Sequence, residues 1–205
     1  MKLKQKAFAS ILIAAASLAG SGAAQAGVIS QWGSNVIGFS SQYNTTSWAA
    51  AQALGAPDRP TYGDIAGAWA PQSRGGTLEW LSIGFDTAVY ATGAVIREVS
   101  GNGFLYQIDA IDSFGNLHQV WSGADTSAAN TPYNFAVNWS ETSYTVKGLK
   151  VYIDTSRHGD WEEIDAIQLV GNDTLTAPAD VPEPASLALL GLGLLGLSAV
   201  RRKKR

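Results

Sequence analysis

The chain alternates short apolar runs with clusters of Gly, Asn, Asp and Ser, a spacing that predicts strands rather than helices. In residues 78–85 (LEWLSIGF) the alternation puts Leu81, Ile83 and Phe85 on one face, as in a half-buried strand. Residues 94–99 (AVIREV) and 105–111 (LYQIDAI) follow as further strands. Asp112-Ser113-Phe114-Gly115-Asn116 reads as a turn, and residues 117–121 (LHQVW) return as the second arm of a hairpin. Residues 135–137, 149–153 (LKVYI) and 164–170 (IDAIQLV) bring the set to roughly eight strands. Helical periodicity is confined to residues 48–54 (WAAAQAL), an alanine-rich turn or two. The pattern predicts an all-β fold, an antiparallel β-sandwich or jelly roll.

Both ends depart from this pattern. The amino end has Lys2, Lys4 and Lys6, an apolar run over residues 7–19 and small residues ending in Ala24-Gln25-Ala26. That is the layout of a secretory signal over residues 1–26, with signal peptidase acting after Ala26 and Ala24 as the other small residue of the cleavage site. The carboxyl end reads VPEPASLALLGLGLLGLSAVRRKKR. Residues 185–200 carry no charge; as a helix they would span about 24 Å, just short of a bilayer core, so a few flanking residues let them cross. The basic block that follows, beginning Arg201-Arg202, belongs on the cytoplasmic side. Polar residues 172–180 (NDTLTAPAD) link this tail to a single domain over residues 27–171.

Trimming both ends changes the charge. The whole chain has a formal net charge of −3, but residues 27–180 hold six of its cations against sixteen of its acids, a net −10. Such a domain repels phosphates, which excludes nucleic acid as a partner; calcium and neutral glycans are compatible with it. There is no cysteine, so neither a disulfide nor a thiol nucleophile is available to this exported chain. All seven tryptophans fall within the trimmed domain.

The tail residues Val181-Pro182-Glu183-Pro184, the Gly- and Leu-rich run and the basic cluster resemble the PEP-CTERM sorting signal of Gram-negative bacteria, over residues 181–205. The resemblance implies processing at Pro182-Glu183-Pro184 by a membrane exosortase. It also implies transient anchoring, and delivery to the cell surface or an exopolysaccharide-rich matrix.

A second resemblance lies in Ala53-Leu54-Gly55-Ala56-Pro57-Asp58, Tyr62-Gly63-Asp64, Ala68-Trp69-Ala70-Pro71, LEWLSIGF and residues 162–171 (EEIDAIQLVG). Together these are similar to the galactose-binding-like, discoidin-type β-sandwich. That resemblance implies a binding rather than a catalytic role, and a structural calcium where the first long loop meets the last strand. Asp58, Asp64, Glu163 and Asp165 are then its candidate ligands. The competing reading is that the aspartates cap their own turns.

For carbohydrate, aromatic faces beside a few polar groups are the required chemistry. Residues 152–161 (YIDTSRHGDW) end in Arg157, His158, Asp160 and Trp161, and Trp69 in GAWAP joins them as a candidate; tryptophans of a small sandwich also serve as core. The histidines are isolated, no GxSxG or HExxH is present, and the acid pairs are ordinary for so acidic a surface. No catalytic residue is assigned. The expectation is an exported, non-catalytic binding module for carbohydrate such as exopolysaccharide. The alternatives are an adhesive matrix protein that binds other proteins, or a glycan-active enzyme.

Overall fold

The computed structural model describes residues 26–157 and 159–176. His158 and the sorting residues Ala24, Pro182, Glu183, Pro184, Arg201 and Arg202 lie outside them, as does the predicted tail helix; Ala26 opens the described region. Among the described residues no helix is long and apolar enough to cross a membrane.

Eight strands form: β1 (Val28–Trp32), β2 (Asn35–Phe39), β3 (Leu78–Ser100), β4 (Leu105–Asp112), β5 (Leu117–Ser122), β6 (Tyr133–Asn138), β7 (Thr145–Asp154) and β8 (Glu163–Asn172). All pairings are antiparallel. The alanine-rich segment makes only a 3-10 turn, Ala50–Ala53. Two expected strands, 78–85 and 94–99, are one: β3 runs 23 residues without interruption. Asp86 and Thr87 look like a turn in the sequence, but Val89 and Ala91 beyond them are fully buried and keep the strand paired.

That long strand builds the sandwich. Its first half pairs with β2 on one side and β7 on the other, and β7 leads on to β4 and the edge strand β5. Its second half pairs with β6 and β8, and β8 carries β1. The register with β7 slips between Gly84 and Val89, which is where β3 passes from one group of partners to the other. The inward faces interdigitate as one apolar core, including Leu81, Ile83 and Phe85 from the first half, Ile96 from the second and Ile108, Leu149, Ile164 and Ile167 from their partners. The predicted face of residues 81, 83 and 85 is therefore correct.

The 40–77 connection between β2 and β3 contains no strand, a length that in a compact domain is reserved for functional loops. Side chains hold it down. Asn44 Oδ1 accepts from the backbone N–H groups of Thr46 (2.9 Å) and Trp48 (3.1 Å), and Gln42 Oε1 from that of Ala50 (3.0 Å). Trp69 bridges to Ile164 at the start of β8 and buries its whole side chain. Its indole N–H donates to the Ser41 carbonyl at 3.1 Å.

Candidate functional site

The 40–77 connection meets three other loops at one end of the sandwich. The Tyr62 hydroxyl accepts from the Gly101 N–H (3.1 Å), tying it to the β3–β4 turn, and the Asn102 side-chain amide donates to the Ala128 and Thr131 carbonyls (2.8 Å each) in the β5–β6 loop. Gly101, at φ 64°, lies so close to the β7–β8 loop that a Cβ there would sit 2.8 Å from the Trp161 carbonyl.

Tyr43, Trp48 and Trp161 stand together on this end. Trp48 and Trp161 each meet Tyr43 edge to face, at ring-centroid distances of 5.5 and 5.3 Å and interplanar angles of 79° and 77°. With Asp64 and Ala70 they enclose a cavity of about 50 Å³. Tyr43 is 48 % exposed, an unusual position for an aromatic side chain that only packs. The Arg74 guanidinium lies over the Trp161 ring, 5.2 Å from its centroid. Trp48 donates its indole N–H to Glu163 Oε1 at 3.1 Å, whereas the buried indole N–H of Trp161 has no partner.

Behind the aromatics lies a group of buried carboxyls. Burial, then a hydrogen bond to Asp64 and that group's charge, push Glu163 up to about 9, although the Trp48 indole and the Ile65 backbone pull the other way. Glu98 is likewise pushed to about 9, first by burial and then by Asp125. Glu98 Oε1 and Glu163 Oε2 accept no hydrogen bond; a proton held between each acid and its partner satisfies them. Burial raises Asp165 as well, with a contribution from the charge of Asp58, while the backbone N–H groups of Arg59 (3.1 Å) and Asp58 oppose it. Glu162, with both carboxylate oxygens unpartnered, is raised by burial to about 7.

The nominated residues divide accordingly. Trp161 lines the cavity, and the Asp160 carboxylate accepts from the Trp161 backbone N–H at 2.9 Å, fixing the ring's entry. Arg157 is not among the lining residues and pairs with Asp154, Nε to Oδ2 at 3.8 Å. Trp69 is a correction: with no exposed surface it is a core residue and offers no face to a sugar. Asp58, Asp64, Glu163 and Asp165 do gather where the first long loop meets β8, as two acid pairs, Asp64 with Glu163 and Asp58 with Asp165. Among the described residues no three acidic or histidine side chains converge as metal ligands. Tyr43 and Trp48 escaped the sequence reading. Their only signal is two aromatics in a run of Ser, Asn, Gln and Thr (SQYNTTSW), where no core face exists to hold them.

Comparison with known proteins agrees with this architecture. The family model described as Pappalysin-1, SD scarf domain, C-terminal matches residues 21–178, and that of the PEP-CTERM protein-sorting motif matches residues 180–204. No curated protein matches the chain. Among solved structures, reduced XRCC1 bound to the DNA pol beta catalytic domain aligns with a TM-score of 0.53 at 11 % identity, over 69 % of this chain and 98 % of the other. A chitosan-binding module of a chitosanase/glucanase from Paenibacillus sp. IK-5 aligns at 0.50 and 12 % identity, over 65 % and 91 %. The family 32 carbohydrate-binding module of NanJ from C. perfringens, in complex with galactose, aligns at 0.48 and 17 % identity, over 70 % and 93 %. At these identities the likeness to the XRCC1 and chitosan-binding structures is one of fold alone, a β-sandwich.

Proposed function

Since the chain belongs to the family of the pappalysin-1 SD scarf domain, C-terminal, and ends in a PEP-CTERM sorting motif, we propose that it is an exported, non-catalytic binding module for carbohydrate, released by an exosortase to the cell surface or matrix. The observation that carries this reading is the cavity walled by Tyr43, Trp48 and Trp161 with Asp64 at its edge, on the end where four loops meet. C–H faces of a pyranose stack on such rings, while a carboxylate fixes orientation through hydroxyls. The fold neighbours that bind galactose and chitosan point the same way in kind, without fixing the ligand.

A structural calcium ion belongs to the same proposal. Asp58, Asp64, Glu163 and Asp165 are hard oxygen donors that stand as two pairs, and a dication beside either pair would favour the charged form that burial, and then the neighbouring acid, disfavours at Glu163 and Asp165. Loop carbonyls would have to complete the shell.

Titration calorimetry of the purified full chain against the host's exopolysaccharide tests both parts, with calcium and then with EDTA. Saturable heat is expected, with at least a ten-fold loss of affinity in Trp161→Ala. Weakening in EDTA would assign the metal. Absence of heat with the protein folded would overturn the carbohydrate reading and leave adhesion to another protein as the role.

A further inference from the structure

The cavity is more selective than a stacking platform. At about 50 Å³ it has room for a single substituent and not for a pyranose ring, so whatever stacks on the rim inserts one group. Two of its walls, Trp48 and Trp161, stand nearly perpendicular to a third, Tyr43, a boxed arrangement that surrounds an inserted group with π faces. The polar wall is the carboxylate of Asp64, whose own partner behind it is another acid, Glu163. No cationic side chain lines the cavity. Outside it the Arg74 guanidinium already lies over the Trp161 ring, so this aromatic surface accepts a cation from the protein itself. The uncompensated charge of the trimmed domain, a net −10, biases the surroundings the same way.

Building on the carbohydrate reading, we propose that the Tyr43–Trp48–Trp161 cavity with Asp64 is an ammonium cage, and that its ligand is a polysaccharide carrying free amino groups. The protonated amine enters among the rings and pairs with Asp64, while the sugar ring rests on the exposed edge of Tyr43. Neutral hydroxyl or N-acetyl substituents at the same position lose this pairing.

The test titrates the full chain in EDTA-containing buffer with a glucosamine hexamer and with its fully N-acetylated counterpart. The amino form is expected to bind at least ten-fold more tightly. Asp64→Asn should abolish most of that preference. Tyr43→Ala, at a largely exposed position, should weaken binding without unfolding the domain, which near-ultraviolet circular dichroism checks. Equal affinity for both hexamers would overturn the ammonium cage and leave the carbohydrate reading intact. Binding of neither by folded protein would overturn the amino-sugar assignment, with the exopolysaccharide titration deciding the carbohydrate reading on its own. Tighter binding of a lysine oligomer than of the amino sugar would overturn the assignment to polysaccharide.

Discussion

Two ends of this sandwich both bury carboxylates, and they treat them in opposite ways. At the β4–β5 turn, Asp112 receives the backbone N–H groups of Phe114 (2.8 Å) and Asn116 (2.9 Å), the Asn116 amide (2.9 Å) and His118 Nε2 (2.9 Å). These donors, His118 first, hold it well below the usual carboxylate range. At the loop end, Glu98, Glu162 and Glu163 have few donors and acids for neighbours, and they are raised. Burial alone therefore does not mark a site. Asp112 spends its lone pairs inside its own hairpin and is explained by the turn; at the loop end both oxygens of Glu162 lack a donor, and Glu98 and Glu163 share protons with neighbouring acids. That asymmetry supports the proposal that the loop end is where ligand binds.

The largest effect is expected at Trp69, which anchors the long connection under the loop end. Trp69→Ala removes a fully buried indole and is expected to cost about 3–5 kcal/mol in denaturant unfolding. A loss no larger than that of a surface substitution would mean that the loop end does not rest on this residue. The next effect concerns pH. Glu98 and Glu163 are raised to about 9, so the folded state binds protons that the unfolded state has released. Their contribution is complete below the ordinary glutamate value near 4.5, and it declines as pH rises toward 9. Stability should fall between pH 5 and 8, by about 4 kcal/mol for Glu98. Glu98→Gln supplies a permanent donor toward Asp125 and should flatten that fall while raising the unfolding midpoint at pH 8. An unchanged pH profile in this variant would contradict the assignment.

Asp112 carries the opposite sign: its contribution is present above the ordinary aspartate range and is lost as pH falls through its depressed value. Asp112→Ala should lower the unfolding midpoint at pH 7 and leave ligand affinity unchanged, because its partners lie within the 112–118 hairpin. The smallest effect is at the tip of the same turn. Phe114 is 92 % exposed, and Phe114→Ser should change stability by less than about 0.5 kcal/mol and binding not at all.

Much of the sandwich is legible in the sequence because alternation reports local geometry. Leu81, Ile83 and Phe85 announce a buried face, and the Asp112–Asn116 turn announces its hairpin. The continuity of β3 is not legible, since Asp86-Thr87 has turn chemistry and only the pairing of Val89 and Tyr90 with β7, and of Tyr90 and Ala91 with β8, keeps the strand intact. Strands β1 and β2 are diluted by Ser, Gln, Asn and Gly and carry no clean alternation. At the site, the Arg157–Trp161 segment was visible as a polar loop ending in an aromatic. Its partners were not. Trp48 reaches Glu163 across 115 residues of sequence, a contact created by the fold and by no local pattern. For the same reason Trp69 and Trp161 look alike as tryptophans beside glycine-containing loops, and only burial separates them.

Ligand is expected to enter among Tyr43, Trp48 and Trp161, and the tryptophans themselves report it. The seven indole N–H groups each give a separate proton–nitrogen resonance, assigned through single Trp→Phe variants. On adding a glucosamine hexamer to the full chain, the resonances of Trp48 and Trp161 should shift, while those of Trp69 and Trp139, which donate to the Ser41 and Ala91 carbonyls, stay in place. Shifts confined to Trp139, or none at Trp48 and Trp161 under saturating ligand, would contradict the account.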